Sequence, residues 1–176
     1  MENTKKGIYK ATLLVLLAII IIGLLIPSQM TIPVKGASSN DWHPDTFWYE
    51  PWGSSGVHKG IDIFASKGTP VIAATSGLVL YSGEWQKGGH VVVVLGPKWR
   101  IHYYAHLASR SVSSASWISK QEQLGTLGDT GNAAGKPPHL HYSLVTLLPY
   151  LWRYSTQTQG WKQLFYLDPN AYLSHS

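Results

Sequence analysis

The chain has 176 residues, a formal net charge of +5 and no cysteine. That length allows one domain of ordinary size once any targeting segment is set aside. The lack of cysteine excludes disulfides and thiolate zinc sites, so a bound metal must be held by His, Asp or Glu. No Lys/Arg-rich run is present, and no nucleic acid partner is expected.

Residues 1–27 read as an N-terminal transmembrane anchor or signal segment. Lys5, Lys6 and Lys10 precede an apolar run over 11–26, broken by Thr12 and Gly23 and closed by Pro27. A basic flank before an apolar stretch directs export. Including Ile8 and Tyr9 brings the run to spanning length. No clean A-x-A cleavage site follows, because Lys35 stands where Ala37 would need a small residue before it. The reading is an uncleaved anchor, with the lysines inside and the rest of the chain outside the cytoplasm, secreted if the segment is cleaved. Without that segment the chain is only mildly basic, which suits an anionic envelope polymer.

Residues 28–45 are expected to be a linker, and residues 46–176 the domain. The lead-in over 41–56 carries Trp42, Trp48 and Trp52 among Pro44, Pro51, Gly53 and Gly56, and reads as irregular. In Val57-His58-Lys59-Gly60-Ile61-Asp62-Ile63-Phe64, Gly60 and the β-branched Ile61 and Ile63 disfavour a helix. A bent strand there has Asp62 looking where His58 looks.

From Gly68 onward the pattern is β. Strands are expected over 69–74, 78–81 and 90–95, the last holding four consecutive valines, the mark of burial on both faces. The stretch 100–107 alternates, which predicts His102, Tyr104 and His106 on one face and Ile101, Tyr103 and Ala105 on the other. A serine-rich loop, a short strand over 124–128 and a glycine-rich loop lead to Pro138-His139-Leu140-His141. The prolines exclude a helix interior. In an extended strand His139 and His141 share a face, and Leu140 turns to the core. The stretch 147–166 reads as a loop with aromatic anchors. Short strands, regular turns and no strong helical period imply an all-β fold, a predominantly antiparallel sheet or sandwich.

Three segments thus offer polar candidates: His58 with Asp62, then His106, then His139 with His141. Two His and one Asp around an open fourth position make a catalytic zinc set. Two further imidazoles can move a proton and stabilise an oxyanion.

His58-x-x-x-Asp62, Tyr104-Ala105-His106-Leu107 and His139-Leu140-His141, in this order, resemble the lysostaphin/LytM-type zinc endopeptidases of bacterial cell walls. The framework Gly68-Thr69-Pro70-Val71, Gly77-Leu78-Val79, Gly131-Asn132 and the closing Asp168-Pro169 agree, so the resemblance covers about residues 54–173. It implies an antiparallel sheet with a groove over one Zn2+ per chain, held by His58, Asp62 and His141. His106 and His139 would be the catalytic pair, their division of roles left open. His102 is set aside on the motif, and His90, His43 and His175 are read as structural or exposed. The implied substrate is the peptide crosslinks of peptidoglycan, and the implied location the bacterial envelope, with the membrane engaged through the N-terminal helix. Two departures stand out: Trp52-Gly53-Ser54 replaces the usual Phe-Gly-Arg run, and the stretch 146–166 is longer than usual, read as an inserted wall or lid.

Three functions compete. They are an active zinc endopeptidase, a non-catalytic LytM-fold protein that binds and activates another wall hydrolase, and a plain envelope-binding β domain. The full set of five His and Asp positions favours the first.

Overall fold

A computed structural model gives the structure of residues 2–173, with side chains described from Lys5 onward; His175 lies outside the described residues. Helix α1 (Glu2–Leu25) is followed by an irregular lead-in with short 3-10 turns at Ser39–Asp41, Pro44–Thr46 and Gly53–Ser55. The strands are β1 (Ile61–Phe64), β2 (Pro70–Ile72), β3 (Gly77–Trp85), β4 (Gly89–Gly96), β5 (Arg100–Arg110), β6 (Trp117–Ile118), β7 (Gln123–Leu127), β8 (His139–Thr146) and β9 (Tyr166–Leu167). A short helix α2 (Asn170–Leu173) follows. The fold is the expected one, mostly antiparallel β after a single apolar helix.

Among the described residues the nine strands form one sheet, ordered β1-β8-β5-β4-β3-β6. β7 pairs with β5 and β2, and β9 pairs with β8. Every pairing is antiparallel. The centre of the sheet reads as the sequence dictates: Val91, Val92, Val93 and Val94 of β4 are all buried. Burial of each such side chain contributes about 1.5–3 kcal/mol.

Register places the site. Asp62 lies opposite His141 and Phe64 opposite His139 across β1 and β8. Ala105 lies opposite His141 and Tyr103 opposite Ser143 across β5 and β8. Directly opposed residues share a face. So Asp62, Tyr103, His139, His141 and Ser143 lie on one side of the sheet. Ile61, Ile63, Tyr104, Leu140, Tyr142 and Leu144 lie on the other and are fully buried.

The segment expected as a linker packs onto this body. Met30, Val34 and Trp42 join the hydrophobic core. The backbone is tied down as well: Thr31 N donates to Ala74 O (3.0 Å), Lys35 N to Pro70 O (3.0 Å), and Ile72 N to Pro33 O (2.9 Å). Its many polar and turn residues hid a short apolar alternation, Met30, Ile32 and Val34, that packs on the core.

Within α1, the 21 residues Lys5–Leu25 are long and apolar enough to cross a membrane, by length and composition. The helix touches the body at Trp99, whose Nε1 donates to Ile20 O at 2.9 Å. Gly23 permits that approach, since a Cβ there would meet the Trp99 ring at 2.3 Å.

Candidate active site

Three ligand atoms converge on the polar face. His58 Nε2 lies 3.2 Å from Asp62 Oδ1 and 3.1 Å from His141 Nδ1. His141 Nδ1 lies 2.8 Å from the same carboxylate oxygen. Each comes from a different local structure. Asp62 is fixed by β1, with Ile61 and Ile63 locked into the core on either side. His141 is fixed by β8. His58 sits just before β1, where Trp48 N donates to His58 O (2.7 Å) and His58 N to Tyr49 O (3.0 Å). Trp52 stacks on its ring with centroids 4.0 Å apart.

The outer nitrogens of the two rings are held by the chain. His58 Nδ1–H donates to Thr46 O at 3.0 Å, which leaves Nε2 as a lone pair. His141 Nε2 meets Ser143 Oγ at 3.0 Å, and the tautomer that donates there opens Nδ1. Such outer bonds fix ring orientation and tautomer in metal-ligating histidines. Burial lowers the affinity of His141 for a second proton, while Asp62 works the other way. Burial opposes ionisation of Asp62, but the hydrogen bonds and charges of His141 and His58 hold its carboxyl well below the usual carboxylate range. Two imidazole nitrogens and a carboxylate oxygen therefore point at one another, and only extra protons or a cation between them relieve the arrangement. Ligands at zinc bond lengths in a tetrahedron stand about 3.3 Å apart, close to the spacing seen. The donor set fits zinc.

Two more histidines border this cluster. His139 donates Nδ1–H to Pro137 O at 2.8 Å, and its Nε2 lies 4.0 Å from Asp62 Oδ2. His106 donates Nδ1–H to Thr130 O at 2.8 Å. The His106 ring stands 5.1 Å from the His139 ring and 6.1 Å from the His141 ring, centroid to centroid. Burial, with the neighbouring His141, pushes the pKa of His106 down to about 4, so it is neutral at neutral pH.

The position of His106 corrects the expected alternation. Strict alternation puts His106 with His102 and Tyr104, on the core side. The pairing of β4 with β5 shifts between His90 and Val92, where Leu107 opposes His90 and Tyr104 opposes Val92. His106 takes φ +65° in this bulge, and one extra residue turns its side chain across the sheet. It therefore shares the sheet face of Tyr103 and His141. His102 stays behind, fully buried, with Nδ1 2.6 Å from the Tyr142 hydroxyl. Burial and the Arg100 guanidinium push His102 down to about 3. His43 is exposed, and its Nδ1 accepts from Asp45 N at the start of a 3-10 turn. His90 is half-buried at the start of β4.

Supporting groups that sequence reasoning passed over are Thr46, Thr130, Ser143 and Tyr103. Ser143 was within reach, two residues beyond His141 on the same strand face. Thr46 and Thr130 act through backbone carbonyls, which carry no side-chain signal. Tyr103 meets His141 edge-on at 6.2 Å and stacks on Trp85 at 5.5 Å. Burial, with Tyr166 nearby, pushes its hydroxyl up to about 12, so it stays protonated.

The long stretch over 147–165 stands beside His58. It runs through 3-10 turns at Leu151–Arg153 and Gly160–Leu164. Arg153 braces it, Nε donating to Gln163 O (3.1 Å) and Nη2 to Tyr166 O (3.2 Å). It clasps the lead-in twice: Trp48 Nε1 donates to Thr158 O (3.2 Å) and Gln159 Nε2 to Ser55 O (2.8 Å).

An antiparallel sheet thus gathers on its polar face two histidines and an aspartate that could hold one metal ion, with two more imidazoles alongside. Residues 56–149 match the model of peptidase family M23, and the chain belongs to that family. It is 37% identical over 89 residues to the peptidoglycan DD-endopeptidase ShyC of Vibrio cholerae, covering 51% of this chain and 20% of that protein. It is 31% identical over 113 residues to the L-Ala–D-Glu endopeptidase of Bacillus subtilis, covering 59% of this chain and 35% of that protein. The chain thus covers only 20% and 35% of the length of those relatives. The catalytic domain of lysostaphin from Staphylococcus simulans superposes with a TM-score of 0.55 at 27% identity, over 60% of this chain and 81% of that one. The prophage-encoded M23 protein EnpA of Enterococcus faecalis shares the fold, with a TM-score of 0.58 at 18% identity over 83% of this chain and 98% of its catalytic domain.

Proposed function

We propose that this chain is a zinc-dependent endopeptidase that hydrolyses peptide crosslinks of bacterial peptidoglycan. The observation that carries the reading is the meeting of His58 Nε2, Asp62 Oδ1 and His141 Nδ1 within 3.2 Å of one another, beside the rings of His106 and His139. His58, Asp62 and His141 would hold the ion. When bound, zinc polarises a scissile carbonyl and acidifies a water.

The other groups act on the substrate from the chain itself. His106 and His139 each give Nδ1–H to a backbone carbonyl. Each ring is thereby fixed with Nε2 free to face the reacting atoms. Between them they take the proton of the attacking water, return it to the leaving amine and bond the developing oxyanion. The His139 ring lies beside Asp62, and the Trp52 ring stacks on His58 at 4.0 Å, so both border the cluster that a peptide would approach. The stretch 147–165 walls the groove on the His58 side. With α1 in the membrane and Lys5, Lys6 and Lys10 inside, the groove faces the wall polymer. All five polar positions are filled by competent residues, which favours catalysis over the alternative role of a scaffold that activates another hydrolase.

The test is direct. The full chain, solubilised in detergent and loaded with zinc, is incubated with crosslinked wall peptides, and the products are weighed by mass spectrometry. A new amine and a new carboxylate at one crosslink are expected. No product from any crosslinked peptide at full zinc occupancy overturns the reading.

A further inference from the structure

Three lysines come together at one end of the groove without an acid to match them. Lys59 follows the first histidine of the cluster, and its Nζ donates to Ser55 O (3.0 Å) and Val57 O (3.4 Å). Lys162 belongs to the long wall; its Nζ donates to Gln159 Oε1 (2.7 Å), and Gln159 Nε2 shares Ser55 O with Lys59 (2.8 Å). Lys87 arrives from the opposite side. Its own carbonyl accepts from Asn132 N (3.0 Å), and the next carbonyl, of Gly88, accepts from His106 N (2.8 Å). Yet its Nζ donates to Ser54 Oγ at 2.9 Å. The Lys87 side chain thus reaches from the wall that carries His106 to the wall that carries His58.

The three side chains meet on two adjacent residues: Lys59 Nζ and Gln159 Nε2, whose amide oxygen accepts from Lys162, both bond Ser55 O, and Lys87 Nζ bonds Ser54 Oγ. Among the described residues none of the three is in an ion pair. Their hydrogen bonds go to neutral carbonyl, hydroxyl and amide oxygens. Like charges gathered on three separate segments cost energy unless something anionic joins them.

We propose that Lys59, Lys87 and Lys162 form a carboxylate-binding subsite, so that the substrate is an anionic wall peptide with free carboxylates near the scissile bond, not a neutral polyglycine bridge. The proposal rests on the peptidase reading for its substrate, but it can be tested by binding alone. Lys59 and Lys162 fix one wall of the subsite. Lys87, the longest reach, exchanges Ser54 Oγ for a carboxylate oxygen when the peptide enters. Charge-assisted bonds of this kind are about twice as strong as neutral ones.

The probe is the tetrapeptide L-Ala-γ-D-Glu-meso-diaminopimelate-D-Ala with its carboxylates free, against the same peptide with each carboxylate amidated. Binding to the full chain in detergent, stripped of metal by chelator, is measured by calorimetry. The free acid is expected to bind at least about tenfold more tightly than the amide, as one charge-assisted bond predicts. In the triple variant Lys59→Gln, Lys87→Gln, Lys162→Gln, with its circular dichroism unchanged, that preference is expected to vanish. Equal binding of acid and amide by the wild type overturns the subsite, and so does a preference that survives in the variant. Crosslinked dimers of the two forms, given to the zinc-loaded chain, separate the two readings. Selective binding with no cleavage removes the peptidase and leaves the subsite standing. Equal binding and equal cleavage of acid and amide remove the subsite and leave the peptidase.

Discussion

His102 and His106 lie four residues apart on one strand and face opposite sides of the sheet. A shift of register between His90 and Val92 and a positive φ at His106 separate them. One is a neutral core group bonded to Tyr142, and the other stands against His139 beside the His58–Asp62–His141 cluster.

Their alanine variants should therefore fail in different ways. His106→Ala should keep its thermal midpoint near wild type and lose about 10²–10⁴-fold in turnover, the worth of a general acid–base group. His102→Ala removes the partner of a buried hydroxyl and opens a cavity, at about 2–4 kcal/mol of stability. Denaturant melts and single-turnover assays on both variants check this. Equal stability losses would mean that the two rings do not occupy different faces.

Much of the site was legible because its parts are local. Period-two alternation sufficed to put His139 and His141 on one face and Leu140 in the core, and β8 does so. The same rule misplaced His106, because a bulge depends on the pairing of two strands and not on the residues of one. Val34 and Trp42 were hidden for a related reason. Val34 ends a short apolar alternation with Met30 and Ile32, and Trp42 stands among polar residues; only the sheet beside them shows what they fill. The clasp between Trp48 and Thr158 spans over a hundred residues, beyond any pattern in the chain.

Asp62→Ala should abolish metal binding without unfolding the domain. Ile61 and Ile63 keep β1 on the core whatever stands between them. Zinc per chain is expected to fall from about one to below about a tenth, by elemental analysis after gel filtration, since a three-ligand site loses its only anion. The far-UV spectrum should be retained. Full occupancy in the variant takes Asp62 out of the ligand set.

His139 and His141 should part company in the same assay. His141→Ala removes an atom of the converging trio, so zinc and activity fall together. His139→Ala removes a ring whose Nε2 stays 4.0 Å from Asp62. Zinc should remain while turnover drops by about 10²–10³-fold, mainly in kcat. Loss of zinc in His139→Ala would assign it to the metal instead.

Acid should weaken the fold through His102. Its folded pKa of about 3 lies below the ordinary value of 6.5. The unfolded chain binds the proton more readily, so stability is full above pH 6.5 and is lost as pH falls toward 3. One such group costs up to about 1.4 kcal/mol per pH unit in that window. His102→Gln carries no proton to gain. Between pH 7 and 5 the wild type should lose about 2 kcal/mol more than this variant, by urea melts at each pH. Parallel pH profiles for the two proteins would show that His102 does not carry the effect.

The N-terminal helix should stay attached. Cleavage after Ala37 would strip Met30 and Val34 from the core. It would also break the backbone bonds from Thr31 to Ala74, from Lys35 to Pro70 and from Ile72 to Pro33. Removing a buried Val or Met side chain costs about 1.5–3 kcal/mol in transfer alone. Two such losses with three hydrogen bonds consume much of a stability of about 5–15 kcal/mol. A processed domain beginning at residue 38 would therefore be marginal, whereas the uncleaved chain keeps its core intact. If the helix spans the membrane with Lys5, Lys6 and Lys10 inside, protease added to intact spheroplasts should digest the domain and spare the first residues. The expected result is a full-length protein in the membrane fraction, released by detergent and not by high salt. A soluble species whose sequence starts after Ala37, folded and active, would replace the anchor with a cleaved signal.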